Sequence, residues 1–279
     1  MIICVLKGGF GNHLLNYCIA CVLSHKYDVK IKIISNAIKN DNLKQRNDTR
    51  TTINKILNYH YITRDNYQHN NTVNINTEKK YYELLKKINV KKNYKMSIIG
   101  TNLNFYTKHR DILKKYIKLN YDCKYKNPNS ILISLRLGMG DNEVAGNSTP
   151  FKDILRLPFC YYKNSIDYLL KKNNNIEKII ICSDNFTEKY LDNFYIEYNF
   201  LDIIKYNDKN TLEQFNFLIN ADYLISSNST FSLLACVFNT NGLVITPDFK
   251  DHNNLNCNGE NNLSIDSNNC IKIKINKPK

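Results

Sequence analysis

The pentapeptide Ser226-Ser227-Asn228-Ser229-Thr230 stands between two apolar runs, Tyr223-Leu224-Ile225 and Phe231 to Phe238. Hydroxyls and backbone N–H groups at the start of a buried helix form a site for phosphate oxygens. The helix dipole adds its positive end at the same place. A second segment, Ser134-Leu135-Arg136-Leu137-Gly138-Met139-Gly140-Asp141-Asn142-Glu143, sets Arg136 at the end of an apolar strand. A charge there is costly unless paired. Its guanidinium can clamp a diphosphate through two parallel hydrogen bonds, or it can serve a structural Arg–Asp pair. Asp141 and Glu143 put carboxylates beside it, candidates for a general base.

Two further polar tips follow apolar strands. In Cys182-Ser183-Asp184-Asn185, Ser183 or Asp184 is expected to cap the next helix, a role compatible with contacting a ligand. Gly8-Gly9-Phe10-Gly11-Asn12 reads as a turn through which backbone can approach a ligand closely. It lacks the third glycine of a dinucleotide fingerprint, since Leu14 stands there, and it lacks the Gly-Lys-Ser/Thr of a P-loop. Glu213 falls in the first turn of a helix, where the dipole alone favours a carboxylate. Its functional alternative is to accept the N1–H and N2–H donors of guanine, a pair that no other common base presents.

The elements that must carry these residues follow from the hydrophobic pattern. Ile2 to Leu6 reads as a buried strand, Leu14 to Val22 as a helix apolar on most faces, and Val29 to Ile34 as the next strand. Asn36 to Lys95 is polar and weakly patterned, with helical hints at Thr52–Leu57 and Tyr81–Ile88. Met96 to Gly100 reads as a strand and Phe105 to Leu119 as a helix. The Lys-, Asn- and Pro-containing stretch Asp122 to Ser130 reads as a linker. A second series follows: strand Ile131–Leu135, helix Tyr161–Lys171, strand Ile179–Cys182, helix Phe186–Phe194 and strand Ile203-Ile204. Helix, strand and helix then fill Thr211 to Phe238, before strand Leu243–Ile245 and an alternating Ile/Lys edge strand at Ile271–Ile275. The pattern predicts an α/β fold of two Rossmann-like domains, 1–125 and 126–279, facing across a cleft. Ligands would bind beyond the carboxyl ends of the strands.

Composition narrows the partners. The chain has 279 residues, 43% of them hydrophobic, and a formal net charge of +14. That charge favours acidic ligands, but the lysines are scattered, so a solvated basic surface outweighs a nucleic-acid stripe. No nucleic-acid partner is expected. Peripheral contact with an anionic membrane face is allowed. Nine cysteines without a paired framework suit a reducing compartment, hence the cytoplasm. The Cys18-Ile19-Ala20-Cys21 pair lies in an apolar helix pattern and reads as buried core, with a redox or metal role as the alternative. No apolar run reaches membrane-spanning length, and Met1 to Lys7 is too short for a signal core. No Asp-x-Asp pair occurs, and no metal site is expected.

Taken in order, the polar segments resemble motifs of the α-1,2-fucosyltransferases of glycosyltransferase family 11. They are also similar to the wider group sharing that fold, which includes the core α-1,6- and protein O-fucosyltransferases. Gly8 to His13 resembles the family's Gly-Gly-Leu-Gly-Asn-Gln, with Phe10 for Leu and His13 for Gln. Ser134 to Asp141 resembles His-x-Arg-Arg-Gly-Asp, with Ser134 for the His and Leu137 for the second Arg; either Met139 and Gly140 stand before the Asp at 141, or Met139 itself replaces the motif Asp. Tyr161-Tyr162-Lys163 resembles Tyr-Tyr-x-x-Ala-Ile, and Ser183-Asp184 resembles Ser-Asp-Asp. Asn228-Ser229-Thr230-Phe231-Ser232 resembles Asn-Ser-Ser/Thr-Phe-Ser, with Leu233-Leu234 replacing the paired Trp that follows.

The resemblance implies a GT-B fold, a GDP-fucose donor, inversion at the sugar, a glycan or glycoconjugate acceptor, and no cofactor or metal. It implies that Arg136 holds the donor diphosphate, that Ser229 and Thr230 contact phosphate, and that Glu213 reads guanine. Gly11, Asn12, Asp184, Asn228 and Phe231 complete the expected donor site. A donor carrying another deoxysugar such as rhamnose, and an inactive nucleotide- or glycan-binding relative, are the alternatives.

Overall fold

The structure, a computed structural model, describes residues 1–6, 10–35, 62–63, 72–75, 78–89, 91–96, 103–122, 125–137, 157–184, 186, 189–206, 210–248 and 269–275. The chain forms two compact units, Met1–Leu119 and Asn120–Lys279. The expected helix at Thr52–Leu57 lies outside the described residues, as does the part of the expected strand at 97–100.

The first unit is built on strands β1 (Ile2–Leu6), β2 (Ile31–Ser35), β3 (Ile62–Thr63), β4 (Thr72–Ile75) and β5 (Asn93–Met96). They form a parallel sheet in the order β3-β2-β1-β5-β4. Helix α1 (Phe10–Tyr27) follows β1 and is buried from His13 to Leu23, as an all-round apolar helix must be. The helix begins at Phe10, so Phe10, Gly11 and Asn12 form its first turn and not a loop ahead of it. Asp28 ends it in the left-handed region at φ 49°, which sets the start of β2 at Ile31. Cys4, Cys18 and Cys21 are buried free thiols around this helix. Burial pushes Cys4 up to about 12 and the other two well above the usual thiol range. Thiolate is the reactive form, so these cysteines act as packing groups.

Helix α2 (Glu78–Lys86) joins β4 to β5. The single helix expected over Phe105–Leu119 is two, α3 (Leu103–Lys108) and α4 (Arg110–Tyr116). Thr107 Oγ1 donates back to the Leu103 carbonyl at 3.2 Å, a bond that bends helices. His109 then leaves helical geometry at φ −105°, ψ 13°.

The second unit holds β6 (Ser130–Leu135), β7 (Lys178–Ser183), β8 (Asp202–Tyr206), β9 (Tyr223–Ile225), β10 (Leu243–Asp248) and β11 (Cys270–Lys274). They pair in parallel, in the order β11-β10-β9-β6-β7-β8. Read from β8, this is the doubly wound order 3-2-1-4-5-6. Helices α5 (Phe159–Lys172), α6 (Lys189–Glu197), α7 (Thr211–Ile219) and α8 (Thr230–Phe238) make the connections. The inward residues of one face, Ile131, Ile133, Ile179, Ile181, Ile225 and Ile245, pack with Tyr161, Ile166 and Leu169 of α5 and Phe194 of α6. Leu132, Leu224 and Val244 are buried on the opposite face. Helix α6 begins and ends three residues later than its expected span because the apolar spacing Leu191, Phe194, Tyr198 carries it onward. β11 is an outer strand of the sheet, as its alternating Ile and Lys predict. No helix among the described residues is long and apolar enough to cross a membrane.

Candidate functional site

In a doubly wound sheet the crevice opens at the carboxyl ends of the two strands where the order reverses. Here those strands are β6 and β9, paired in register from Ile131↔Tyr223 to Ile133↔Ile225. Arg136 leaves the end of β6, and Ser226 to Ser229 leave the end of β9, so both arrive at the reversal point. β7 flanks β6 on the other side, with Leu135 opposite Ser183. Asp184 therefore comes up beside Arg136. Adjacent strands lie about 4.8 Å apart, which brings three of the expected donor segments to one edge of one sheet.

Arg136 Nε lies 3.0 Å from Asp184 Oδ2, with the two side chains 28% and 31% exposed. The Nε–H does not point along this contact, which makes it an ion pair and not a linear hydrogen bond. The other carboxylate oxygen, Oδ1, accepts the Leu137 N–H at 2.8 Å. Asp184 thus grips the end of β6 twice. The expected cap of the next helix is not its position, because α6 starts only at Lys189. An ion pair this exposed contributes about 0–1 kcal/mol, far less than the parallel ladder that already joins β6 to β7. Its consequence is orientation. Asp184 holds the guanidinium by Nε, and among the described residues no acceptor pairs with the two terminal nitrogens, the pair suited to forked binding of a diphosphate.

The polar turn after β9 is braced by its own hydroxyls. Ser229 is the N-cap of α8, its side chain accepting the Ser232 N–H at 3.2 Å. Ser232 Oγ in return accepts the Ser227 N–H at 3.0 Å. Ser227 Oγ and Ser229 Oγ lie 3.1 Å apart. A cap of this kind contributes roughly 1 kcal/mol to its helix, and Ser229 keeps a rotatable O–H beside it. The turn is also held from below. Tyr161 of α5, wholly buried, donates to the Ser226 carbonyl at 2.9 Å. Burial pushes that phenol well above its usual range, so it remains a neutral donor.

Glu213 opens α7, where Asn210 caps the Leu212 and Glu213 N–H groups. Its Oε2 accepts the Tyr125 hydroxyl at 2.6 Å. α7 is locked to α8 by the edge-on contacts of Phe215 with Phe231, centroids 5.4 Å apart, and with Phe238 at 6.3 Å. Phe231, an expected donor residue, therefore presents its ring to α7. Four residues after Glu213, Phe217 stacks flat on Tyr206 at 4.3 Å, and Tyr206 ends β8 at the same sheet edge.

Arg136, Asp184 and Asn228 to Phe231 gather at the reversal point, with Glu213 at the head of the adjoining helix. Gly11 and Asn12 belong to the first unit, in the opening turn of α1, where the Asn12 carbonyl accepts from Asn16 Nδ2 at 3.0 Å. Gly8, Gly9, Gly138, Gly140, Asp141 and Glu143 lie outside the described residues. The replacements in the family motifs turn inward: Ser134 is 6% exposed, Leu137 7%, and Leu233 and Leu234 are wholly buried. Sequence reading missed Tyr125, Ser232 and the support given by Tyr161. Ser232 had a local signal, since a hydroxyl three residues past an N-cap can return a bond to the turn.

No family model and no curated protein sequence matches this chain. Its fold is similar to that of solved glycosyltransferases. POFUT1 in complex with GDP aligns with a TM-score of 0.51 at 9% identity, over 88% of this chain and 96% of that one. A glycosyl transferase family 9 protein from Veillonella parvula gives 0.53 at 8%, over 98% and 85%. NodZ α-1,6-fucosyltransferase soaked with GDP-fucose gives 0.51 at 13%, over 85% and 91%. At such identities the likeness is one of fold, and the fold is the parallel-sheet α/β GT-B type of glycosyltransferases.

Proposed function

We propose that this chain is an inverting, metal-independent glycosyltransferase whose donor is GDP-fucose and whose product is an α-1,2-linked fucoside. The observation that carries the reading is the pairing of Arg136, oriented by Asp184, with the hydroxyl-capped start of α8 at the strand-order reversal. An oriented cation and a helix N-terminus on adjacent strands suit a nucleoside diphosphate. That one solved protein of the same fold is in complex with GDP, and another is a fucosyltransferase soaked with GDP-fucose, supports that donor class. The affinity with family 11 and the fucose rest on the motif resemblance.

In this scheme an acceptor hydroxyl attacks the anomeric carbon as the bond to the β-phosphate oxygen breaks. The negative charge that develops on GDP is met by Arg136 and the N–H groups at the head of α8, a contribution usually the largest in such catalysis. Asp141 or Glu143 takes the hydroxyl proton, worth roughly 10²–10⁴-fold where a base is needed. Glu213 reads the guanine, and the acceptor is a glycan or glycoconjugate. The work is done without a cofactor in the cytoplasm.

The test is a donor-hydrolysis screen over GDP-fucose, GDP-mannose, dTDP-rhamnose and ADP-heptose. Release of nucleotide from GDP-fucose well above the others is expected. Turnover of dTDP-rhamnose or ADP-heptose alone contradicts the donor assignment. Binding of GDP with no turnover of any donor contradicts the enzyme assignment and leaves a nucleotide-binding relative.

A further inference from the structure

Two residues at the start of the second unit, Asn120 and Tyr125, are tied to the helix that carries Glu213 and to its C-cap. The Asn120 N–H donates to Asn216 Oδ1 at 3.3 Å, and the Asn120 carbonyl accepts from Asn220 Nδ2 at 2.8 Å. Tyr125 donates to Glu213 Oε2 at 2.6 Å. Glu213 and Asn216 stand at i and i+3 on one face of α7, and Asn220 is the C-cap that follows it. Tyr121 adds a bond to the Phe238 carbonyl at the end of α8, at 3.1 Å. Tyr125, in the stretch Asp122 to Ser130 whose composition reads as a linker, thus bonds to the helix carboxylate.

Tyr125 is well placed to set that carboxylate. It is 6% exposed. Its N–H donates to the Asp122 carbonyl at 3.1 Å, and its own carbonyl accepts from Asn127 Nδ2 at 3.1 Å. A Glu side chain has three rotatable bonds, and its ordering on binding would weaken any recognition that depends on it. Reading guanine requires both carboxylate oxygens to face the N1–H and N2–H donors together. A phenol bonded to Oε2 anchors one oxygen and narrows the rotation of the group. It leaves Oε1 and the second lone pair of Oε2 to accept from a base.

We propose that Tyr125 is a positioning residue for base selectivity, holding Glu213 in the orientation that distinguishes guanine from adenine. This rests on Glu213 being the base reader. The experiment titrates GDP, ADP and pyrophosphate by calorimetry into the full chain and into Tyr125→Phe, Glu213→Gln, Glu213→Asp and the Tyr125→Phe/Glu213→Gln double variant. Loss of one such hydrogen bond is expected to weaken GDP about tenfold in Tyr125→Phe, with ADP and pyrophosphate held within about twofold. The double variant should bind GDP no worse than Glu213→Gln, because the phenol acts through the carboxylate. Glu213→Asp keeps the charge but withdraws it from Tyr125, and should lose the preference as Tyr125→Phe does.

If Glu213→Gln abolishes the preference for GDP while Tyr125→Phe and Glu213→Asp retain it, the positioning role is overturned and the base reading stands. If Glu213→Gln retains the preference, the base reading is overturned and the positioning role with it. An equal loss for all three ligands in Tyr125→Phe shows a merely structural tyrosine and also overturns the proposal.

Discussion

Replacing Arg136 by alanine is expected to lower sugar transfer, or donor hydrolysis without acceptor, by about 10²–10³-fold. The fold should survive the change. Arg136 lies just past the end of β6, its side chain is 28% exposed, and its ion pair with Asp184 is too exposed to matter much to stability. Asp184 would still hold the Leu137 N–H. The loss should therefore fall on kcat/KM and on GDP affinity, with the thermal midpoint nearly unchanged. Arg136→Lys separates charge from geometry. It restores a cation at the crevice but not the planar fork, so recovery should be partial, leaving roughly a tenfold deficit. Steady-state kinetics on both variants checks this, and near-normal transfer by Arg136→Ala would remove the residue from the mechanism.

The second large effect is structural and lies at the opposite, amino-terminal end of the same parallel sheet. Gly242 stands just before β10, and a Cβ there would sit 1.9 Å from the Ala221 carbonyl oxygen and 2.9 Å from that of Asp222. These are backbone atoms, so no side-chain rotation relieves the clash. The Ala221 carbonyl is also committed. It accepts from Asn239 Nδ2 at 2.8 Å, while Asn239 Oδ1 accepts the Gly242 N–H at 2.8 Å. Asn239 is 1% exposed, so moving that carbonyl strips a buried amide of its partner. Gly242→Ala combines overpacking with a broken buried network and should cost about 3 kcal/mol or more. At 2–4 °C per kcal/mol for a protein of this size, the thermal midpoint should fall by roughly 10 °C. A scan that finds a shift below about 2 °C would mean the β9–β10 junction yields more easily than its bonds imply. Comparing this variant with Arg136→Ala also separates damage to the sheet from damage to the chemistry.

The alternation of apolar strands and helices was open to sequence reading because each strand of the second unit is a short isoleucine- or leucine-rich run between polar tips. The strand order was not. β6 pairs with β9 across some ninety residues of chain, and nothing in either strand's composition names the other. Since the reversal point depends on that order, sequence could nominate Arg136 and Ser229 separately but could not set them on neighbouring strands. Asp184 was legible as a polar strand tip and illegible as a partner. Its bonds run to Arg136 and Leu137, far away in the chain. Tyr125 was hidden for the same reason, its carboxylate lying in a helix 88 positions on. The helix-opening hydroxyls were the most legible part, because caps and turns are local and their bonds span five residues or fewer.

The central claim is that a guanine nucleotide diphosphate binds where β6 and β9 part. Hydrogen exchange of the full chain with and without saturating GDP tests this most directly. Bound GDP should slow exchange in the peptides covering Leu135–Leu137 and Ser226–Phe231, and at the head of α7 around Glu213. GDP that binds yet leaves these peptides unchanged, or protects other segments only, would contradict the account.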